Sequence, residues 1–440
     1  MNGLMKYLLA ALCSLVIVTI GFPGGDSGAS LVTAALADDD DGGGYDDDDD
    51  DDDGGAFRKL KRPAQVKARP QPRRRATIQP LPDHAPAEII GHGLEDSAVD
   101  RLTAAGYVIL EQAPLASSGQ IIHRLRVPER LTLAEARAQI LSAAPQAEID
   151  FNHYYRPDMS DDCVARRCLA RNLIGWSPPR QEDACSRGIR IGMIDTAINE
   201  DHAALAGSRI EVKRFVAERL PPSGMQHGTA IAALLVGNPS GRSPGLLPGA
   251  ELIAVDTFHR RGRHGDVSDA YSLVKALDYL ESRNIAIINL SLTGPANVVL
   301  ERTIERLAGK GVVLVAAAGN DGPKAKPVYP AAYPQVVAVT AVDRQKRPYR
   351  RAARGSHIDL AAPGVDVWIA ASQKGARPRT GTSFAAPFVT AAIALARKAE
   401  GGVAKTAALS RLTGSAEDLG QPGHDDIFGW GLLNPAGLCG

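Results

Sequence analysis

The sequence of this 440-residue chain predicts an α/β protein, a doubly wound parallel sheet preceded by a small α+β domain with a ferredoxin-like order of elements. Three observations support the prediction. Beyond about residue 175, short aliphatic runs alternate with helical patterns, as in strands joined by crossover helices. The region 84–157 instead has the order strand, helix, two strands, helix, strand. A composition of 44% hydrophobic and 23% charged residues is that of a soluble globular protein.

Residues 1–37 are typical of an export signal. Lys6 precedes an apolar stretch from Tyr7 to Phe22, and the small-residue sequence Ala35-Leu36-Ala37 suits cleavage after Ala37. An uncleaved N-terminal anchor is the alternative, because the apolar stretch is long for a signal yet short for a membrane span. We therefore expect an exported protein, secreted, periplasmic or at the cell surface, that meets a membrane only through such an anchor.

Residues 38–83 have the composition of a disordered linker. Twelve of the 50 acidic residues form the runs Asp38–Asp41 and Asp46–Asp53, and nine of the 50 basic residues follow between Arg58 and Arg75. The formal net charge is zero, and the chain without these blocks is close to neutral, which argues against a nucleic-acid partner. The aspartate runs show no recurring calcium-ligand spacing with an ordering glycine, which favours a solvated tether.

Residues 84–157 are predicted to form the small α+β domain. Its elements in order are a strand, a helix, two strands, a helix and a strand: Glu88–Gly91, Leu94–Ala105, Val108–Gln112, Gln120–Val127, a helix opening at Thr132, and Glu148–Asn152. Thr132 and Glu135 have capping-box spacing, and Leu133, Ala136 and Ile140 form an apolar stripe along the second helix. Many binding domains share this βαββαβ order, so the order alone predicts no function.

Residues 158–187 connect the two domains and contain three cysteines. Apart from Cys13 in the N-terminal segment, the cysteines are Cys163, Cys168, Cys185 and Cys439. An even number in an exported chain favours disulfides, and four cysteines allow three pairings. A zinc site is the weaker alternative, because no histidine lies near the first three with metal-ligand spacing.

Residues 188–440 are predicted to form the doubly wound domain. Five aliphatic runs are candidate buried strands: Gly188–Ile194, Glu251–Asp256, Ile285–Leu290, Gly311–Ala318 and Val336–Val342. The helical patterns are His227–Val236, Tyr271–Ser282, Val298–Lys310 and an alanine-rich run, Phe384–Ala399, whose helix should begin at or just after Ser383. Ligands of such sheets bind at the carboxyl ends of the strands, so a functional site is expected there.

Four polar residues stand at strand ends or helix starts of this domain. They are Asp195 in GIRIGMIDTAI, His227 in HGTAIAALLVG, Asn320 in GVVLVAAAGNDGP and Ser383 in RTGTSFAAP. A serine hydroxyl becomes a nucleophile when a base takes its proton, and an acid on the other nitrogen of that base fixes the tautomer. The Ser383 N–H and the Asn320 amide could then donate to an oxyanion. Taken singly, each residue equally suits a turn or a helix start.

Together these segments resemble the subtilisin-like serine proteases, the subtilase family. IDTAI, HGTAIAALLVG, AAAGN and GTSFAAPFV are similar to the four signature blocks of the family, over roughly residues 188–435. The chain order Asp, His, Ser is one of the few known for this triad. The resemblance implies a subtilisin-like fold in which Asp195 orients, His227 is the general base, Ser383 attacks, and Asn320 with the Ser383 N–H holds the oxyanion.

The resemblance also implies substrate contacts. The segment similar to the strand that pairs with substrate backbone contains Ser291, Leu292, Thr293 and Gly294. Val328 stands before Tyr329-Pro330, where a small residue often floors the S1 pocket of the family. With Thr293 in place of a frequent glycine, Val328 indicates a narrowed pocket that prefers small P1 side chains.

The small domain resembles the inhibitory propeptide of these proteases, whose last strand lies in the active site. The resemblance implies self-cleavage somewhere from Asn152 to about Cys168, with Tyr154-Tyr155 as one candidate. A cut after Tyr155 conflicts with a preference for small P1 side chains. Calcium is frequent in the family, but no ligand set can be aligned here, no metal site is assigned, and no cofactor is expected to be required.

The sequence therefore predicts an exported serine endopeptidase that is made as a zymogen. It would hydrolyse polypeptide substrates through an acyl-enzyme, with its own propeptide as intramolecular inhibitor. The alternative is a catalytically silent binding or scaffold protein on the same fold, which the complete set of triad residues disfavours.

Overall fold

The computed structural model of the chain describes residues 82–157, 170–176, 185–241, 243–399 and 405–438, all within one unit, Pro70–Gly440. The predicted signal or anchor and nearly all of the predicted linker lie outside these ranges. So do Cys163, Cys168 and Cys439. Cys185 is disulfide-bonded, and the pairing among the four cysteines stays open.

The small domain has the predicted order of elements. They are β1 (His84–His92), α1 (Asp96–Ala104), β2 (Val108–Pro114), β3 (Ile121–Arg126), α2 (Leu133–Ala143) and β4 (Glu148–Pro157). The strands form an antiparallel sheet in the order β2-β3-β1-β4. The predicted capping box is present, since Thr132 Oγ1 accepts the Glu135 N–H at 3.2 Å and the Glu135 carboxylate accepts the Thr132 N–H at 2.9 Å.

The last strand of the small domain is longer than the sequence predicts. β4 ends at Pro157 instead of Asn152, because its second half pairs with strands of the large domain. Those partners are distant in the sequence, so no local pattern of β4 indicates them.

The large domain contains the remaining elements. They are α3 (Ala170–Leu173), β5 (Arg190–Asp195), β6 (Arg209–Arg214), α4 (Gln226–Val236), β7 (Glu251–Asp256), β8 (His259–Arg260), β9 (Asp266–Asp269), α5 (Ala270–Ser282), β10 (Ile287–Leu290), β11 (Leu292–Thr293), α6 (Val298–Gly309), β12 (Val313–Ala317), β13 (Val336–Val342), β14 (Leu360–Pro363), β15 (Val367–Ala370), β16 (Ala376–Arg379), α7 (Thr382–Ala399) and α8 (Lys405–Ser415).

A parallel sheet of seven strands forms the centre of the large domain, which confirms the predicted fold class. Its order is β14-β13-β12-β10-β5-β7-β6, and every neighbouring pair is parallel. The five predicted strands are β5, β7, β10, β12 and β13; β6 and β14 at the edges were not predicted. The chain order reverses between β5 and β10, so the carboxyl end of β5 lies at the switch point where such sheets bind ligands.

Helices cover both faces of this sheet. One buried cluster joins α4, α7 and α8 to strand residues such as Ile191 and Met193, and another joins α5 and α6 to residues such as Ile194 and Ile253. Strand side chains alternate between the two clusters, as a sheet buried on both faces requires. The second cluster also takes in residues of the small domain, Tyr155 among them. Within the described ranges, no helix combines the length and apolarity needed to span a membrane.

Candidate active site

Asp195 and His227 form a buried pair at the sheet's switch point. Asp195 ends β5, His227 stands in the first turn of α4, and each is only 2% exposed. His227 Nδ1 lies 2.6 Å from Asp195 Oδ1, an oxygen that also accepts the Thr196 N–H at 2.7 Å. Among the described residues, none makes a hydrogen bond to the buried His227 Nε2. The imidazole is therefore held through one nitrogen while the other is available to a reacting group.

Gly228 lets α4 start this close to β5. A Cβ at this position would lie 2.2 Å from the Thr196 carbonyl oxygen, far inside the contact distance, and the Gly228 N–H donates to Thr196 Oγ1 at 2.9 Å. The glycine after His227 is thus required by the approach of helix and strand that brings His227 to Asp195.

Ser383 lies in the first turn of α7, which begins at Thr382, one residue earlier than the sequence predicts. The residue is fully buried, its carbonyl oxygen accepts the Ser291 hydroxyl at 2.9 Å, and the ring of Phe384 lies 5.8 Å from the His227 ring between centroids. Small residues make the approach possible, since a Cβ at Gly364 would lie 3.1 Å from Ala385 Cβ. The chain thus brings Ser383 to the side of the sheet that holds His227.

Asn320 follows β12 and contacts the residue before Ser383. Its Oδ1 accepts the Thr382 N–H at 3.1 Å and the Thr382 hydroxyl at 3.3 Å. The Asn320 Nδ2 is buried, and the described part of the chain offers it no hydrogen-bond acceptor. An amide whose oxygen is fixed at a helix start has its donor end available for developing negative charge. The sequence did not identify Thr382, although its place in the GTSFAAP segment beside Ser383 was a usable signal.

A second acid lies beside Asp195. Asp256 ends β7 directly opposite Asp195, forms an ion pair with Arg214 and accepts the Phe258 N–H at 3.1 Å. Burial raises the pKa of Asp256 to about 6, while the Arg214 guanidinium acts in the opposite direction. The sequence places Asp256 at the end of a predicted strand and indicates no role for it at the site.

The end of β4 lies along the predicted substrate strand. Arg156 pairs with Thr293 and Pro157 with Leu292 of β11 in antiparallel register. Just before them, β4 pairs with β9, Tyr154 opposite Asp269 and Tyr155 opposite Ser268. The sequence does not predict β9, because four residues with a polar majority carry no strand periodicity. Ser291, at the start of the predicted substrate-binding segment, does not pair with β4 in this register; its hydroxyl donates to the Ser383 carbonyl oxygen at 2.9 Å.

Tyr155 of β4 is completely buried against the segment that follows β11. Its hydroxyl donates to the Pro295 carbonyl oxygen at 3.2 Å, and a Cβ at Gly294 would lie 2.5 Å from its ring. Burial raises the pKa of Tyr155 well above its ordinary value, so the phenol stays a neutral donor. Gly294 is therefore required for the ring to fit, and Tyr155 is enclosed.

Val328 and Thr293 line a common cavity of about 630 Å³, together with Asp321, Tyr154 and Arg156. A Cβ at Gly319 would lie 2.7 Å from Val328 Cγ2, so the valine side chain packs against the backbone just before Asn320. The arrangement is compatible with the predicted narrow pocket, and the P1 preference stays a prediction. Across the described ranges, no group of three or more His, Cys, Asp or Glu side chains is placed to hold a metal ion.

Comparison with known proteins gives concordant matches. A model of the Subtilase family matches residues 186–431. The minor extracellular protease Epr of Bacillus subtilis (strain 168) is 30% identical over 251 residues, 56% of this chain and 38% of that protein. Subtilisin DY of Bacillus licheniformis is 30% identical over 254 residues, 56% of this chain and 89% of that protein. This chain thus spans well under half of the first relative and most of the second.

Solved structures show the same fold. The crystal structure of fervidolysin from Fervidobacterium pennivorans, a keratinolytic enzyme related to subtilisin, matches with a TM-score of 0.68 at 20% identity, over 82% of this chain and 62% of that chain. A point mutant of the protease domain of PatA matches with a TM-score of 0.51 at 26% identity, over 59% of this chain and 96% of that chain.

Proposed function

Because this chain belongs to the subtilase family of serine peptidases, we propose that it is an exported endopeptidase that is made as a zymogen and cleaves polypeptides through an acyl-enzyme. The observation that carries the proposal is the buried pair of Asp195 and His227, with its second imidazole nitrogen available on the side of the sheet where Ser383 lies. The proposal includes no nucleic-acid partner and no required cofactor.

In the proposed reaction, His227 Nε2 takes the proton of the Ser383 hydroxyl while Oγ forms a bond to the carbonyl carbon of the scissile peptide. Asp195 stabilises the imidazolium through Nδ1, and the tetrahedral oxyanion accepts hydrogen bonds from Asn320 Nδ2 and the Ser383 N–H. The imidazolium then protonates the leaving amine as the C–N bond breaks. Water, deprotonated by the same imidazole, hydrolyses the acyl-enzyme and restores the serine.

The small domain is proposed as the intramolecular inhibitor. The pairing of β4 with β11 supports this, because a segment paired there occupies the strand position proposed for substrate backbone. Polar contacts add to it: Asp150 Oδ2 accepts the Val298 N–H at the start of α6 at 2.7 Å, and Asn152 Oδ1 accepts the Tyr271 N–H at 3.3 Å. A carboxylate at a helix N-terminus is a favourable contact in charge and in hydrogen bonding.

The position of Tyr155 changes the proposed self-cleavage site. Its ring is enclosed and its backbone pairs with Ser268, which argues against the Tyr154-Tyr155 bond as the junction. The β4–β11 pairing continues through Pro157, so we place the proposed junction after Pro157 and before about Cys168. The conflict between a cut after Tyr155 and a narrow S1 pocket then disappears.

Export is proposed from the N-terminal segment and from the similarity to relatives such as the minor extracellular protease Epr. Partition of the expressed protein between soluble and membrane fractions separates a cleaved signal from a retained anchor.

A fluorophosphonate probe, combined with intact mass and N-terminal sequencing, tests the proposed activity. We expect the probe to label the wild type but not Ser383→Ala, and we expect only the wild type to lose residues 84–157. Absence of labelling in a folded wild type would favour the alternative, a silent binding protein on this fold. Labelling of the wild type without loss of the small domain would support the peptidase activity and reject self-processing.

A further inference from the structure

Tyr154, the residue before the enclosed Tyr155, has a binding environment of its own. Its ring is 8% exposed and forms a small buried cluster with Ala85 and Val267. The guanidinium carbon of Arg261 lies 4.3 Å from the centre of the ring, within the range of a cation–π contact. Successive side chains of a strand point to opposite faces, so Tyr154 and Tyr155 occupy different sites.

Arg261 is held in place by the hairpin that carries it. Its N–H donates to the Gly265 carbonyl oxygen at 2.8 Å, which closes the turn between β8 and β9. Beside it, Arg260 pairs with Asp266 at 3.0 Å, and Asp266 in turn accepts the Gly224 N–H at 3.0 Å. The turn is therefore tied to the segment that leads into α4, so the backbone that carries Arg261 is fixed beside the ring.

Most of this environment belongs to the large domain. Arg261 and Val267 lie on the β8–β9 hairpin, and the backbone of Tyr154 pairs with Asp269 of β9. The small domain contributes Ala85 and the charge of Glu88, which acts on Arg261. Departure of the small domain would therefore leave a cationic face, an apolar wall and a strand edge beside the substrate cleft.

We propose that Arg261 and Val267 form a substrate subsite that takes an aromatic side chain, from the residue immediately before the one enclosed against Gly294. This inference rests on the proposed peptidase function and on β4 lying as a substrate would. The preferred substrates are polypeptides with two consecutive large side chains, the first aromatic.

The chemistry of the site favours an aromatic ring over an aliphatic side chain. A guanidinium attracts the negative face of a ring, and the attraction increases when water is removed from the cation. Burial lowers the pKa of Arg261, which shows partial removal from water, although an arginine stays charged at any working pH. An aliphatic side chain could fill the space against Val267 but would gain nothing from the cation.

The experiment compares two quenched fluorescent peptides on protein expressed from the full chain. One peptide has the sequence of residues 150–168 with serine in place of both cysteines, and the other differs only by leucine at position 154. Each is assayed with the wild type, with Arg261→Gln, and with Arg209→Gln, the same change at an exposed arginine at the amino end of β6, the opposite end of the sheet from the site. Casein hydrolysis and probe labelling report activity independently of the subsite.

We expect the wild type and Arg209→Gln to prefer the tyrosine peptide by about 3- to 10-fold in kcat/KM. Arg261→Gln should lose that preference by slowing the tyrosine peptide alone. Equal slowing of both peptides by Arg261→Gln, or the same loss in Arg209→Gln, would overturn the subsite. An enzyme that hydrolyses casein but neither peptide would also overturn it. Absence of both casein hydrolysis and labelling would instead reject the peptidase function itself, and the subsite with it.

Discussion

Asp278 offers a quantitative test of how the small domain is held on the large one. The carboxylate projects from α5, is buried, and accepts the Ala116 N–H at 2.6 Å, the Ser117 N–H at 3.0 Å and the Ser117 hydroxyl, in the turn between β2 and β3. The Asp278→Asn change keeps the shape and one acceptor oxygen. It turns the other oxygen into an NH₂ group that faces a backbone N–H donor.

The expected loss follows from the change at one carboxylate oxygen. A hydrogen bond to a charged group contributes about 1.5–3 kcal/mol, and the turn is partly exposed, so water can reach a donor that loses its acceptor. Losing one such hydrogen bond should therefore weaken docking of the small domain by about 1.5–3 kcal/mol, roughly 10- to 150-fold in the docking equilibrium.

The assay is amide hydrogen exchange of the uncleaved Ser383→Ala protein. Adding Asp278→Asn should speed exchange in the β2–β3 turn and leave the parallel sheet unchanged. The control is Asp343→Asn, because that carboxylate also accepts two backbone N–H groups, of Gln345 at 2.8 Å and Arg347 at 2.9 Å, but within the large domain alone. Unchanged exchange at the turn in the Asp278→Asn protein would refute the reasoning.

Three further predictions concern the site and its cover. Gly228→Ala forces a Cβ against the Thr196 carbonyl oxygen, so it should lower the free energy of unfolding, measured by urea titration, by about 1–3 kcal/mol and abolish probe labelling. The control is Gly309→Ala, whose new Cβ has no atom within 4 Å and should leave the free energy of unfolding unchanged. Val328→Gly should raise kcat/KM for peptides with aromatic P1 residues relative to alanine, and an unchanged P1 profile would reject the narrow pocket. Burial lowers the pKa of His153 from its ordinary value of 6.5, with the Asp150 charge opposing, and its Nδ1 contacts the amide of the large domain's Asn297. The neutral imidazole therefore stabilises docking of the small domain fully above pH 6.5, and this stabilisation is lost as the pH falls from 6.5 toward the lowered pKa of the docked state. The small domain should be released faster at pH 5 than at pH 7.5, and His153→Gln should reduce the difference between the two rates.

Local patterns predicted much of the fold. Aliphatic runs predict buried parallel strands, because a strand covered on both faces needs apolar side chains on both faces. Five such runs correspond to β5, β7, β10, β12 and β13. The edge strand β6 was missed for the converse reason. Four of the six residues in its sequence, RIEVKR, are charged, since an edge strand meets water.

The sequence predicts four candidate polar residues by residue type and position, and it does not predict the contacts that surround them. The small neighbouring residues and strand-end positions that identify these four residues can be read from the sequence alone: Asp195, His227, Asn320 and Ser383. The hydrogen bond from Thr382 to Asn320 and the position of Asp256 beside Asp195 depend on strands brought together across the sheet. No spacing along the chain encodes those contacts.

The sequence by itself determined the elements, the fold class and the four polar residues, because periodicity and strand-end chemistry are properties of short segments. Only the tertiary structure decided where the end of β4 lies, that Tyr155 is enclosed, and that Tyr154 meets Arg261. The segment His153 to Pro157 has no apolar alternation of its own. It is extended because β9 and β11, more than a hundred residues further along the chain, offer it unpaired backbone groups.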